Sequence, residues 1–232
     1  MSTLQFNKVM SFLPTEWVER VLVEYDRNDV AHQRDHAINV VNAADDIINL
    51  YSELESHRKV ILVAALLHDI KCWVNRDKHH MLGALAAKRV MAEMDGVLVH
   101  FDDEDIINIE TCILEHRASW KHVRSNLISD CVASADRGNI DVNAYMRRAV
   151  RYRYSHLPAG TEITHDVKMN IVEDSLQHMR EKFGIKGYAW ATLPYYTKLR
   201  CEQQIEHTKE VITTNPGSLI VLGYDNFDAW TA

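Results

Sequence analysis

Glycine, proline and cysteine are all scarce in this chain, and each shortage excludes a class of protein. Only eight glycines and four prolines occur in 232 residues, which favours helices joined by short loops over a fold rich in strands and turns. The four cysteines are scattered and form no CxxC pair. They therefore fit reduced thiols in a cytosol and do not predict a disulfide framework.

The chain also lacks the long apolar runs that mark membrane proteins. Its longest apolar run is far shorter than the roughly 20 residues needed to span a bilayer. The first residues lack the charged start and the sustained apolar stretch of a secretory signal. These absences predict a cytoplasmic protein with no membrane partner.

An excess of basic residues is missing as well. The net charge of −7 argues against general nucleic-acid binding, which depends on lysine and arginine neutralising phosphates. Histidine, in contrast, is abundant, with thirteen copies in the chain. Because imidazole is a common metal ligand, this count points towards a metal site without locating it.

The most informative stretch is the apolar run at residues 60–67, VILVAALL, which leads directly into His68 and Asp69. A run that is apolar on every side predicts a buried helix, and its alanines and leucines favour helix over strand. Burying an imidazole beside a carboxylate is costly unless something compensates, and a bound cation is one such compensator. The alternative is a helix end with a satisfied histidine and a solvent-exposed aspartate.

Other predicted helices carry further ionisable residues on their apolar side, close to the helix end. These residues are His36, His79 or His80, His116 and Asp136. For any single one, a satisfied buried side chain is the simpler explanation. Together with His68 and Asp69, however, each would need its own buried partner, whereas one shared metal centre satisfies them all.

Helical periodicity predicts further elements outside this set. They are expected at residues 15–27, 142–156, 165–183 and 195–213. Residues 219–222 are expected to form a short strand or an apolar segment packed onto the core. The turn-rich stretch 158–164, PAGTEIT, is the best candidate for an internal boundary. We therefore expect a metal-binding helical core over residues 1–157 and a C-terminal helical extension over residues 158–232, packed on the same domain.

The order and spacing of these residues resemble a known signature. Asp35-His36, the AALLHDI segment that contains His68 and Asp69, and Ala135-Asp136 are similar to the H…HD…D signature of the HD-domain superfamily of metal-dependent phosphohydrolases. HHMLGALAA (79–87) and ILEH (113–116) resemble the additional histidines of its two-metal members. The resemblance covers roughly residues 30–140.

This resemblance implies an all-α HD-domain helical bundle with a C-terminal helical extension. The ligands that it implies are His36, His68, Asp69, His79, His116 and Asp136. His79 is favoured over His80 because a histidine four residues before a Gly-Ala pair is a usual ligand in the family. The implied cofactor is a divalent transition metal, manganese, iron or a similar metal, with magnesium or zinc as alternatives; two ions are expected, and a single ion is the alternative.

The resemblance also implies hydrolysis of a phosphate ester by a metal-activated water. Asp69 is expected to bridge the metals or orient that water, and Lys71, next to the ligand turn, is expected to act in catalysis and hold substrate phosphate. Further phosphate-binding candidates are Arg137, Arg147 and Arg151, for which a solvated helix face is the alternative. The expected partner is a small phosphate ester such as a nucleotide, and the sequence is compatible with an oligomer.

Two other functions compete with hydrolysis. The same scaffold carries di-iron oxygenases, and the additional histidines fit either reaction. A non-catalytic signalling module is the second alternative. The chain lacks the Glu-Asp pair of guanosine-tetraphosphate hydrolases and the GYP element of cyclic-di-GMP enzymes, and Lys71-Cys72 replaces the Gly-Lys often found after the HD helix. The resemblance therefore names no particular substrate.

Overall fold

The computed structural model describes residues 3–29, 32–92 and 101–232. Over these ranges every regular element is a helix and no strand occurs, so the predicted all-α fold class is confirmed. None of the described helices combines the length and the apolar character needed to cross a bilayer. The chain divides into two compact units, the first comprising Met1–Gly138 and Pro194–Thr197, the second Asn139–Leu193 and Lys198–Ala232. The break predicted at residues 158–164 lies within the second unit.

Within the described residues, the first unit contains seven complete helices and a 3-10 turn (Ser52–His57). The helices are α1 (Thr3–Val9), α2 (Thr15–Tyr25), α3 (Arg34–Leu50), α4 (Arg58–Leu67), α5 (His79–Ala92), α6 (Asp103–Glu115) and α7 (Leu127–Arg137). Two of them begin at side chains that accept hydrogen bonds from the first turn, Asp102 for α6 and Asn126 for α7. Such caps satisfy amides that have no partner within the helix, so the sequence fixes these helix starts locally.

Helix α4 lies at the centre of the first unit. Residues 60–67 are all buried, with at most 4% of any of them exposed. A helix without a polar face must be surrounded by other helices, and α4 packs against α3, α6 and α7. The end of α4 therefore delivers the next residues, His68 and Asp69, into the middle of the unit.

Helix α5 packs closely on α6 because of a glycine at the contact. A Cβ added to Gly83 would lie 3.1 Å from Ile113 Cγ2 and 3.5 Å from the carbonyl oxygen of His68. His79 is one turn earlier on the same face of α5. The close approach at Gly83 thus brings the start of α5 towards the end of α4.

The second unit is a separate helical cluster with its own apolar core. Its helices are α8 (Val142–Ser155), α9 (His165–Phe183), α11 (Glu202–Thr214), α12 (Pro216–Asp225) and α13 (Phe227–Thr231), with a 3-10 turn at Tyr188–Thr192, while α10 (Tyr195–Arg200) has residues in both units. The helix predicted at 195–213 is interrupted at Cys201. The strand alternative for 219–222 is wrong, because Pro216 starts a helix there, in the first-turn position that proline favours.

Candidate metal centre

Five helix ends of the first unit meet at one point, and each contributes an ionisable side chain. His36 lies in the first turn of α3, His79 begins α5, and Asp136 lies in the last turn of α7. His68 and His116 directly follow the last residues of α4 and α6. With Asp69, these are the six ligands predicted from the sequence, and the structure brings all of them together.

The carboxylate of Asp69 lies at the middle of the cluster, and its oxygen Oδ1 faces one pair of histidines. Oδ1 is 3.0 Å from His79 Nε2 and 3.3 Å from His116 Nε2. The two nitrogens are themselves 3.1 Å apart. These three atoms form one compact set of donors on one side of the carboxylate.

The other oxygen of the same carboxylate faces a second pair. Asp69 Oδ2 is 3.6 Å from His36 Nε2 and 3.4 Å from His68 Nε2, and these nitrogens are 3.1 Å apart. Asp136 joins this side, with Oδ1 3.2 Å from His36 Nε2 and 3.7 Å from His68 Nε2. The centre therefore has two sets of donors that share Asp69.

The separations on the Oδ1 side match the edges of a coordination shell. Metal–nitrogen and metal–oxygen bonds of about 2.1 Å at tetrahedral or octahedral angles place neighbouring ligand atoms about 3.0–3.4 Å apart. The distances on the Oδ1 side, 3.0–3.3 Å, lie within this range. The buried His/Asp clusters can therefore bind a metal ion.

The backbone sets the orientation of three of the imidazoles. Nδ1 of His68, His79 and His116 lies 2.8, 2.5 and 2.7 Å from the carbonyl oxygen three residues earlier. A carbonyl only accepts, so Nδ1 carries the proton and, in the neutral ring, Nε2 presents a lone pair. Lone pairs that converge in this way repel each other unless a cation lies between them.

The central carboxylate supplies an independent observation that fits cation binding. Asp69 Oδ1 is buried and has no hydrogen-bond partner among the described residues, although two Nε2 atoms lie near it. A buried charged oxygen without a donor is costly, and it becomes satisfied when a metal ion occupies the set. This observation fits the donor chemistry of the six residues.

The two carboxylates make the centre attractive to positive charge. Burial lowers the pKa of His36, but hydrogen bonds and charge from Asp136 and Asp69 outweigh burial and raise this pKa to about 9. Burial raises the pKa of Asp69, yet the charge of His68 and the surrounding histidines hold it well below its usual range. Protons and metal ions therefore compete for the same atoms.

Two buried residues at the end of α2 hold the ligand turn in place. The Tyr25 hydroxyl donates to the carbonyl of Leu66 at 2.7 Å and accepts from the amide of Asp69 at 3.1 Å. The Asn28 amide donates to the carbonyl of Asp69 at 3.2 Å, and its oxygen accepts from the amide of Trp73 at 2.8 Å. Sequence reasoning missed both, because an aromatic on an apolar face and an asparagine after a helix have ordinary structural explanations.

His79 and His80, which the sequence pattern alone left as alternatives, occupy different positions. His79 contacts Asp69, whereas the ring of His80 lies 5.7 Å from the ring of His79 and its Nδ1 is 3.5 Å from Arg117. Burial lowers the pKa of His80 to about 4, with Arg117 adding to the effect. Of the two, only His79 belongs to the cluster.

The predicted phosphate-binding cations have different surroundings. The Lys71 ammonium is 3.1 Å from Glu24, and Arg137 donates to the carbonyl of Ala118 at 3.3 Å. Arg147 and Arg151 are exposed on α8 of the second unit. None of these contacts shows that the residue binds phosphate, so phosphate binding by the four residues remains a prediction.

A third group of potential ligands comes from two segments, one between α2 and α3 and the other after α4. Asp29, His32 and Cys72 have ligand atoms within 4.8 Å of one another. Asp29 is already engaged, 2.8 Å from His32 Nδ1 and 2.9 Å from Arg76. Burial raises the pKa of the Cys72 thiol to about 12, so the thiolate form that metals bind is disfavoured.

Comparisons of the chain with protein-family models, with curated proteins and with solved structures find no match.

Proposed function

We propose that this chain is a metal-dependent phosphohydrolase of the HD type, in which two divalent ions share Asp69 and water attacks a small phosphate ester. The division of one buried carboxylate between two histidine pairs carries the proposal. Oδ1 faces His79 and His116, while Oδ2 faces His36 and His68. A carboxylate placed in this way is suited to bridging two ions.

Two ions, if held by these residues, would supply a nucleophile at neutral pH and would stabilise the attacking and leaving oxygens of a displacement at phosphorus. The residues of the chain provide orientation. Asp69 links the two donor sets, and the bonds from Nδ1 to backbone carbonyls keep His68, His79 and His116 aimed at the centre.

The two donor sets contain different numbers of donors, which supports different roles for the two sides of the centre. Asp136 completes four donors with His36, His68 and Asp69, whereas the other side has Asp69 with only His79 and His116. A set with three protein donors keeps a position for a water or a substrate oxygen. We therefore place substrate phosphate on the side of His79 and His116.

Metal analysis and a hydrolysis panel test the proposal together. Protein loaded with Mn²⁺ or Fe²⁺ should contain about two equivalents, and His79→Ala and His116→Ala should each retain about one. His80→Ala is the matched control, since His80 lies outside the cluster, and it should keep both ions. Phosphate or pyrophosphate release from a panel of nucleotides and generic phosphate esters measures the reaction.

Three results would contradict parts of the proposal. One equivalent in every variant would exclude the paired centre. A fully loaded protein that releases phosphate from no ester would exclude the hydrolase. Oxygen consumption by the iron-loaded protein with an organic substrate would favour the oxygenase alternative.

A further inference from the structure

The loop at residues 117–124, RASWKHVR, connects two helices of the candidate centre. It begins directly after the ligand His116 and leads into α7, which carries the ligand Asp136 in its last turn. It contains three cationic residues, Arg117, Lys121 and Arg124, and no acidic residue. Its position allows these cationic side chains to contact a substrate bound at the centre.

One side of this loop lines an open cleft of about 290 Å³. The residues around the cleft are His80, Arg117, Ser119, Trp120, Lys121 and His122. No carboxylate lies among them, so the cleft favours an anionic occupant. His80 follows the ligand His79, and the two rings are 5.7 Å apart, which places the cleft beside the donor set of three.

Arg124 has two donor atoms without a hydrogen-bond partner among the described residues. These atoms, Nε and Nη2, are buried. Glu115, Asp130 and Asp136 are near enough for their charges to act on Arg124, but the first two are engaged elsewhere, and Asp136 lies 3.2 Å from His36. Serine and backbone donors occupy Glu115, and two backbone amides occupy Asp130. Guanidinium donors in this state are satisfied by oxygens of a bound anion.

The same loop offers another unsatisfied donor. Nε1 of Trp120 is buried with no hydrogen-bond partner among the residues that the structure describes. Arg137, next to the ligand Asp136, donates to the carbonyl of Ala118 and so ties the loop to the end of α7. The loop thus presents N–H donors, positive charge and an indole ring next to the metal ligands.

We propose that loop 117–124 is the substrate-recognition segment of the centre and that it selects a nucleoside di- or triphosphate. The inference rests on the proposed function and specifies its substrate class. Arg117, Lys121 and Arg124 bind phosphate groups beyond the one held at the metal ligands, and the ring of Trp120 stacks on the base. A monophosphate would leave these three cations without a ligand.

Equilibrium binding to the metal-loaded full chain tests this proposal. The probes are the α,β-methylene triphosphates of adenosine and thymidine, adenosine monophosphate and inorganic tripolyphosphate, titrated by calorimetry. Arg124→Gln should weaken triphosphate binding about tenfold or more, because it removes a charged hydrogen-bond donor. Trp120→Leu should weaken binding of both nucleotides about fivefold or more and leave tripolyphosphate binding unchanged.

Metal content, melting temperature and turnover of p-nitrophenyl phosphate report whether the centre itself is intact. Arg89→Gln, at an exposed position on α5, is the matched control and should bind as wild type does. If Arg124→Gln loses metal or fails to fold, Lys121→Gln, at an exposed position, tests the same contribution and should weaken triphosphate binding.

The outcomes separate this inference from the proposed function. Unchanged triphosphate affinity in the loop variants, or a monophosphate bound as tightly as a triphosphate by wild type, overturns the inference even if phosphate esters are hydrolysed. Nucleotide binding lost in the loop variants, in a protein that hydrolyses no ester, supports the ligand class and overturns only the hydrolase. Binding of tripolyphosphate as strong as that of the nucleotides removes the stacking role of Trp120.

Discussion

The buried hydroxyl of Tyr25 accepts a hydrogen bond from the backbone amide of Asp69 at 3.1 Å. It also donates to the carbonyl of Leu66 at 2.7 Å. Burial and the charge of Asp69 raise the pKa of Tyr25 well above its usual value, so the hydroxyl keeps its proton. One side chain from α2 therefore satisfies two backbone groups on either side of His68.

Replacing Tyr25 by phenylalanine should damage the centre without altering the packing of the core. We expect Tyr25→Phe to lower the free energy of unfolding by about 1–3 kcal/mol, because two buried backbone groups lose their partner. Metal affinity should also fall, since the ligand turn is less fixed. Urea unfolding and metal titration measure both effects. Tyr188→Phe, at an exposed position, is the control, and equal losses in both variants would contradict the role of Tyr25.

Asp69→Asn should remove both metal equivalents, since the amide keeps the shape of the side chain but loses the charge shared by the two donor sets. We also expect the melting temperature in excess metal to fall, because ligand binding no longer stabilises the fold. Elemental analysis after dialysis against Mn²⁺ tests the first effect, and thermal unfolding tests the second. Full metal content in this variant would remove Asp69 from the centre.

The stabilisation conferred by metal should grow between pH 6.5 and pH 9. The pKa of His36 is raised from 6.5 to about 9. In metal-free protein, its protonated form thus contributes stability that is full below pH 6.5 and is lost as pH rises through about 9. Metal binding needs the unprotonated ring, so the stability that bound metal adds increases as pH rises. Melting temperatures with EDTA and with Mn²⁺ should diverge as pH rises. A difference in melting temperature that stays constant with pH would contradict competition between protons and metal ions.

Lys71 can be tested against its ion-pair partner. The pair with Glu24 is partly exposed, so Lys71→Met and Glu24→Gln should each change the free energy of unfolding by less than about 1 kcal/mol. If Lys71 holds substrate phosphate, only Lys71→Met should reduce kcat/KM, and it should do so tenfold or more. Equal kinetic effects of the two variants would assign Lys71 to the ion pair alone.

The convergence of the six candidate ligands was predictable because their signal is local. Each follows or precedes a run of apolar residues at helical spacing, as His116 follows Ile109 and Ile113, so its inward direction can be deduced before any contact is known. The bounds of α9, at 165–183, were predictable for the same reason, helped by the Thr164 cap. The all-α class was predictable because glycine and proline, which interrupt helices, are scarce.

What sequence reasoning missed depends on contacts between distant segments. Tyr25 and Asp69 are 44 positions apart, and no pattern connects them. Loop 117–124 has no periodicity, and the unsatisfied state of Arg124 becomes visible only when its neighbours are known. The interruption at Cys201 and the helix that contains residues 219–222 were missed because short apolar runs fit several local structures.

The burial of α4 has a kinetic consequence for the two donor sets. His68 follows the most deeply packed helix of the first unit, and it can move only when that core opens. His79, in contrast, follows the exposed residues 74–78 and can separate from the cluster by a local opening of that segment. An ion bound by His79 and His116 should therefore exchange with solution faster than one bound by His36 and His68. The two positions would then be inequivalent in lifetime, even where their affinities are equal.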